Sequence, residues 1–339
     1  MSWFRKNKTQ KESGAVAFTF GDPEPVLSAY DFLYSGCYSY GSRYYEPPVD
    51  LNGLAKLYRA TAHHGSALQV KRNILLRTFK PSPFLNRMDF TRLALDLIVL
   101  GNMYGEQVHS RLGRLMKIEP ALARYVRVGL NPDEYWWVHH TGEEKQFDQG
   151  SIVHIMEPDI NQEIYGVPDY IGALQSVQLN EGATLFRRKY YTNGSHAGFI
   201  LYMTDAAQKQ EDVDTLRKAL KDSKGPGNFK NLFMYAPSGK KDGIQIIPVS
   251  EVAAKDEFLN IKRASRDDQL ASHRVPPQLM GIVPDNTGGF GDVEKAANVF
   301  VANELEPLQA RMMELNERVG EEIIAFNDYG LAKLISTSL

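Results

Sequence analysis

The chain has 339 residues, of which 43% are hydrophobic and 24% charged, a globular composition that excludes an intrinsically disordered protein and is too long for one small core. Its formal net charge is -2, which argues against a domain that grips DNA by neutralising phosphates, but not against one past which DNA slides through weak contacts. Cys37 is the single cysteine, so an intrachain disulfide and a cysteine-based zinc site are excluded, in keeping with a reducing compartment.

The basic start, MSWFRKNKTQKES, lacks the apolar run of a signal peptide. No window approaches the roughly 18 apolar residues of a membrane span; Leu93 to Gly101 is the longest and contains Asp96. A soluble, intracellular protein is expected. The first fifty residues place Phe18, Phe20, Tyr30, Phe32, Tyr38, Tyr40, Tyr44 and Tyr45 among Gly, Ser and Pro. Such a stretch orders only by packing its rings on something else, either as an arm docked elsewhere or as a loop on its own domain.

Helices are expected over Leu51 to Leu76, where Leu54, Leu57, Tyr58, Thr61 and Ala62 follow the spacing of one buried face, and over Met88 to Tyr104, ending near Gly101 and Gly105. The period then shortens. Residues 125–128, 134–138 and 151–155 read as strands separated by Asn131-Pro132-Asp133 and Thr141-Gly142-Glu143. This first half is an α+β unit.

Tyr165-Gly166-Val167-Pro168 reads as a turn into a long helix, Tyr170 to Tyr191, that stops at Asn193-Gly194. A small α/β module follows: a strand at 199–203, a charged helix at 211–223, and strands at 231–235 and 244–249. A second long helix runs from Glu251 to about His273, before Pro276-Pro277. Residues 281–292, with four glycines and a proline, form a loop. A last helix runs from Val293 to about Phe326, interrupted at Pro307. Helices of this length span roughly 30 Å and would hold the small module well away from the first unit, an arrangement suited to subunits leaning side by side in a ring.

Three runs, taken in order and spacing over roughly residues 50 to 320, resemble the portal proteins of tailed bacteriophages. They are His154-Ile155 with Tyr165-Gly166-Val167-Pro168 and the helix after it; Arg274-Val275-Pro276-Pro277-Gln278-Leu279-Met280-Gly281 with its Gly-rich loop; and Glu304-Leu305-Glu306-Pro307-Leu308 with Glu314-Leu315-Asn316. The likeness is greatest to the shorter portals of contractile-tailed temperate phages.

The resemblance implies an α+β portal-like subunit that assembles as a ring, of about twelve in the virion. Residues 1–50 would be an N-terminal arm, 51–166 the wing, 167–193 a stem helix and 194–250 the α/β clip. Residues 251–280 would be the second stem helix, 281–292 the tunnel loop, 293–326 a wing helix, and 327–339 a tail with the crown small or absent. The implied function is the channel at one capsid vertex for DNA packaging and ejection. The ring would be assembled in the host bacterial cytoplasm and carried in the virion. It would dock the terminase motor and then head-completion and tail proteins, meet capsid and scaffold proteins, and pass double-stranded DNA without reading its sequence. No catalysis, cofactor, metal or membrane contact is implied.

Within that frame Asp285, Asn286, Thr287, Gly288 and Gly289 make a small, polar, pliable lining, and Asp285 and Asp292 would repel phosphate; from the residues alone the run reads first as a plain surface loop between helices. On the stem, Lys255, Lys262, Arg263 and Arg266 lie among Asp256, Glu257, Asp267 and Asp268. They are either a solvated face or pairs with a neighbouring subunit. Arg187, Arg188 and Lys189 form a basic cluster that faces DNA, a neighbour or solvent. In the clip, Lys218, Lys221, Lys224, Lys230, Lys240 and Lys241 suit an acidic docking partner or a solvated surface.

Enzyme signals are weak. Ser238-Gly239-Lys240-Lys241 lacks the first glycine and the hydroxyl residue of a phosphate loop, and no HExxH, GxSxG or GxGxxG occurs. His63-His64 and His139-His140 are sequence neighbours whose side chains should point apart. Glu157 and Asp159 flank Pro158 and read as a turn. Of Trp136 and Trp137, one should face the core. The alternatives are a DNA-processing enzyme with an α/β core and a non-phage scaffold that oligomerises through its helices; a ring with a central hole separates the portal reading from both.

Overall fold

A computed structural model describes residues 37–41, 43–192, 199–203, 244–248, 254–282 and 292–329. Strands β1 (Tyr38–Tyr40) and β2 (Tyr44–Glu46) pair antiparallel. Tyr44 is buried and bridges to Gly129, so this part of the aromatic-rich segment packs on its own domain.

Helix α1 (Leu51–Leu57) starts where Asp50 accepts hydrogen bonds from the amides of Asn52 and Gly53. The chain breaks at 58–61, and Thr61 caps a new helix, α2 (Ala62–Thr78), by accepting from the His64 amide. That break corrects the expectation of one face: Leu54 and Leu57 are buried, but Ala62 is exposed. After β3 (Phe79–Lys80) comes α3 (Arg87–Leu100), capped by Asn86 and ended by Gly101 in the left-handed region at φ 72°. The helix therefore does not reach Tyr104. Instead β4 (Asn102–His109) follows at once and β5 (Leu115–Ala121) returns beside it, two strands the sequence reading lacked.

Next come β6 (Val126–Val128), β7 (Tyr135–Val138) and β8 (Glu144–Gln146), a three-stranded antiparallel sheet. Strand β9 (Ile152–Met156) then joins β4 to complete a second sheet in the order β5-β4-β9. A short 3-10 turn over Asp169–Ala173 leads into α4 (Leu174–Thr192), so the α-helix begins later than the turn signal suggested. Strands β10 (Phe199–Met203) and β11 (Ile244–Pro248) pair antiparallel across the intervening chain. The helix expected at 211–223 and the strand expected at 231–235 lie outside the described residues.

Helix α5 (Ala254–His273) runs antiparallel to α4: Ser176 donates to Asp268 (2.8 Å), while Asn180, one turn on, donates to Ser265 (2.8 Å), one turn back. A 3-10 turn, Pro277–Met280, follows. The last helical stretch is not the single helix expected. It comprises α6 (Val293–Phe300), a wide π turn over Val301–Leu305, and α7 (Glu306–Val319), ended by Gly320 at φ 79°. Pro307 has no amide proton to give the preceding turn, and the ladder widens there rather than breaking. Chain 320–326 then turns back, and β12 (Ala325–Phe326) pairs with β3.

One continuous apolar core joins α1, α2, α3, both three-stranded sheets, the start of α4, the end of α5 and the α6–α7 stretch. Phe79 and Phe90 stack at its base, ring centroids 3.8 Å apart, with Phe326 edge-on to both. The α4–α5 pair thus leaves a solid body from one place, and the residues at that place are the ones of interest.

Candidate functional site

Helix α5 ends because Arg274 takes a left-handed conformation (φ 53°), which lets the Val275 amide return to the Leu270 carbonyl before Pro276-Pro277. The same turn aims the Arg274 side chain back at the body. Its guanidinium donates to Asp169 Oδ2 (3.0 Å), at the entry to α4, and to Glu304 Oε1 (2.5 Å), in the π turn. The other Glu304 oxygen accepts from Lys71 Nζ on α2 at 2.8 Å. The Lys71 and Glu304 side chains are only 10% and 7% exposed. Arg274 is held above the usual guanidinium range, chiefly by its bond to Glu304.

Beside this group, Arg311 on α7 approaches Glu157 at 3.9 Å. Burial pushes the Glu157 carboxyl up, and Arg311 opposes that shift. A cavity of about 100 Å³ lies among Lys71, Glu157, Asp169, Arg274, Glu304 and Arg311. Three cations face three carboxylates there, so the cluster has little net charge to offer a ligand.

A second polar seam runs between α2 and α5. His273 Nε2 lies 2.9 Å from His64 Nδ1, and both rings pack on Tyr170. Burial pushes His64 down to about 4 and His273 to about 2, the latter lowered further by His64 and Lys71. Thr61 donates to Gln269 (2.7 Å) nearby.

The third feature explains the Tyr165-Gly166-Val167-Pro168 run. Gly166 lies so close to Gly101 that a Cβ would stand 1.9 Å from the Gly101 carbonyl oxygen. Buried Asn102 donates to the Gly166 carbonyl (2.8 Å) and accepts from its amide (2.7 Å), while its oxygen also meets His154 Nε2 (2.9 Å). The Tyr165 hydroxyl donates to the Tyr45 carbonyl at 2.5 Å and accepts from the Val128 amide at 2.9 Å. Residues from all three motif runs therefore build the platform from which the helix pair departs.

Of the sequence-derived candidates, Asp285, Asn286, Thr287, Gly288 and Gly289 lie outside the described residues, as do Lys218, Lys221, Lys224, Lys230, Lys240 and Lys241 and the side chains of Lys189 and Lys255. Asp292 caps α6, accepting from the Lys295 amide (3.0 Å) and pairing with its ammonium (2.9 Å), which together hold its carboxyl low. Arg187 and Arg188 are exposed on α4. Lys262 is half-buried and held low by burial and by the Arg187 charge, which places these two cations near each other across the helix pair. Arg263 is exposed; Arg266 pairs with Asp267 of its own helix (2.8 Å).

Lys71 and Asp169 were absent from the sequence-derived set. The one available signal was a lysine on the buried stripe Ala67, Leu68, Ile74 and Leu75 of α2. Contrary to expectation, the His139 and His140 rings lie side by side, centroids 3.9 Å apart, because the strand has already ended at Val138. Trp137 packs on the core, while the Trp136 indole donates to Glu134 (3.0 Å). Among the described residues no group of three or more His, Cys, Asp or Glu is placed to hold a metal, and no helix is long and apolar enough to cross a membrane.

A family model described as phage portal protein matches residues 54–320. The "Probable portal protein" of Escherichia phage P2 is 54% identical over 327 residues, spanning 96% of this chain and 95% of the relative. Its namesake from Haemophilus phage HP1 is 36% identical over 318 residues, spanning 91% and 92%. Among solved structures, a chain in the neck of a native gene transfer agent particle, computed with C12 symmetry, aligns with TM-score 0.58 at 17% identity, covering 93% of this chain and 89% of that one. An HK97-family phage portal protein from Corynebacterium diphtheriae aligns with TM-score 0.55 at 13% identity, covering 84% and 96%. At those identities the structural likeness concerns the fold.

Proposed function

Because the chain belongs to the phage portal protein family, we propose that copies of it close into a ring of about twelve at one vertex of a phage capsid, the ring being the channel for DNA on its way in and out. The observation that carries this reading is the antiparallel α4–α5 pair rooted in the three-motif platform. Such a pair can stand as a stem between the body, which would be the wing, and residues 194–250, which would be the clip. The β10–β11 pairing at the far end suits a clip that folds as its own small unit. Residues 281–292 connect the Pro277–Met280 turn at the platform to α6, a place in the chain suited to a loop that reaches into a channel.

On this reading the chain performs no chemistry on DNA. A terminase motor supplies the work, and the clip meets first that motor and then head-completion and tail proteins. The assembled ring is a virion component. Twelve subunits agree with the symmetry used for the gene transfer agent neck.

The test is the mass of the purified native particle with negative-stain images beside it. A ring of about twelve subunits with a hole wide enough for duplex DNA is the expected result. A monomer or dimer at micromolar concentration would overturn the proposal. Deleting residues 282–292 should leave the ring intact and impair packaging or retention of DNA.

A further inference from the structure

Strand β4 carries its two neighbours so that their loops leave from opposite ends. The β4–β5 hairpin tip, residues 110–114, lies beyond His109. The 157–165 loop follows Met156, which pairs with Asn102 at the start of β4. Eight residues of strand separate the two ends, about 27 Å at ~3.4 Å per residue.

Each end exposes one aliphatic side chain almost completely. Leu112 at the hairpin tip is 96% exposed and Ile160 in the loop 100%. Single exposed aliphatics are ordinary, but these two carry opposite charge around them. Leu112 sits between the exposed Arg111 and Arg114, which have no ionic partner among the described residues. Ile160 follows Asp159, and the exposed Glu163, likewise without an ionic partner among the described residues, is three positions on.

Both segments are held in shape. At the tip, Gly113 turns at φ 77°, the Ser110 amide donates to the Arg114 carbonyl (2.8 Å), and the Arg114 amide donates to Ser110 Oγ (3.2 Å). In the loop, Asp159 accepts from the Asn161 amide (2.8 Å), and Gln162 Oε1 accepts from the amides of Ile164 and Tyr165 (2.7 and 2.8 Å). Neither surface must order on binding, which lowers the cost of association.

We propose that these ends are the two halves of a heterologous contact between copies of this chain: the basic tip Arg111-Leu112-Gly113-Arg114 of one subunit docks on the acidic Asp159–Glu163 loop of the next. A ring needs two different complementary patches on opposite sides of each subunit, and the sheet supplies them. Leu112 and Ile160 meet at the centre of the contact and the charges fix its direction and register. This inference rests on the ring reading above and specifies which residues close the ring.

The experiment uses two charge-inverted full-length chains. One carries Arg111→Glu and Arg114→Glu. The other carries Asp159→Asn, Asn161→Lys and Glu163→Lys; asparagine at 159 keeps the acceptor for the 161 amide. Each alone presents like charges to itself and is expected to run as a monomer where the unaltered chain forms rings. Mixed in equal amounts, each tip faces an opposite loop, and rings of alternating subunits are expected to return. Raised salt should slow assembly of the unaltered chain.

Rings formed by either variant alone would overturn the proposal while leaving the portal reading intact, whereas an unaltered chain that forms no ring fails that reading itself. A mixture that stays monomeric, although each variant keeps the native circular dichroism and melting temperature, would assign the loop to another occupant, such as residues 1–36 or a different protein. Should a charge variant misfold, Leu112→Ser and Ile160→Ser provide the second measurement. Both sites are exposed, so folding should persist, and unchanged assembly in both would equally overturn the contact.

Discussion

His273 Nε2 and His64 Nδ1 meet at 2.9 Å in the buried seam between α5 and α2. The bond requires one ring to give a proton and the other to offer a lone pair, so it holds two neutral rings and fails when both are charged.

Burial holds both rings below the ordinary histidine range. The unfolded chain therefore takes up protons first as the pH falls. The stability these residues contribute is present in full above about pH 6.5 and is lost on descent towards 4. Amides of α2 and the end of α5 should exchange faster at pH 5 than at pH 7.5, measured by hydrogen exchange and corrected for intrinsic rates. A His64→Leu, His273→Leu chain should show a much smaller difference between the two pH values.

Glu304 neutralises Lys71 inside the body and Arg274 at its edge. Glu304→Gln leaves the Lys71 ammonium buried without its counter-charge and should cost about 3 kcal/mol, the scale for breaking a buried pair. Urea unfolding measures this. Adding Lys71→Met to Glu304→Gln should recover part of the loss; a second mutation that simply adds its own cost would contradict the coupling.

Gly166 and Gly113 make a controlled comparison. Gly166→Ala would drive a methyl group into the Gly101 carbonyl and should displace the platform, seen as loss of soluble folded protein or a large fall in melting temperature. Gly113 has a positive φ but nothing within 4 Å of a Cβ. There alanine meets backbone strain alone, about 1–2 kcal/mol.

Asp96 is buried on α3 and accepts from the Ala123 amide at 2.7 Å. Burial pushes its carboxyl up to about 7 against that bond. The raised value means that its favourable contribution is complete below about pH 4 and is lost as the pH rises through 7. Asp96→Asn should therefore stabilise the protein more at pH 8 than at pH 4, read as the difference in melting temperature from the unaltered chain.

The sequence marked most of the helices and strand β9 of the platform sheet, and missed its partners β4 and β5. Strand β4 follows α3 directly and its first residues, Asn102 to Gly105, are all buried. Alternation, the signature of a half-buried strand, is absent there. Strand β5 carries Pro120 and two exposed residues in succession. The last helix looked continuous because its residues are good helix formers on both sides of the π turn. At the site, Arg274 and Glu304 were visible as motif members, yet nothing in one sequence says that Lys71 meets a residue 233 positions away. Chain folding makes that pairing, and the buried lysine is its only local trace.

The π turn at Val301–Leu305 also makes the length of the chain negotiable at one point. Buried Phe300 and Met312 are twelve residues apart, whereas three ordinary helical turns take about 11. One residue is spare, and the wide turn absorbs it. A relative that has lost a residue within this turn can run straight from α6 into α7 with both ends still seated. Losing one between Glu306 and Val319 instead swings everything beyond it by about 100°. Insertions and deletions along this helix should therefore gather at a single place, the turn that itself carries Glu304.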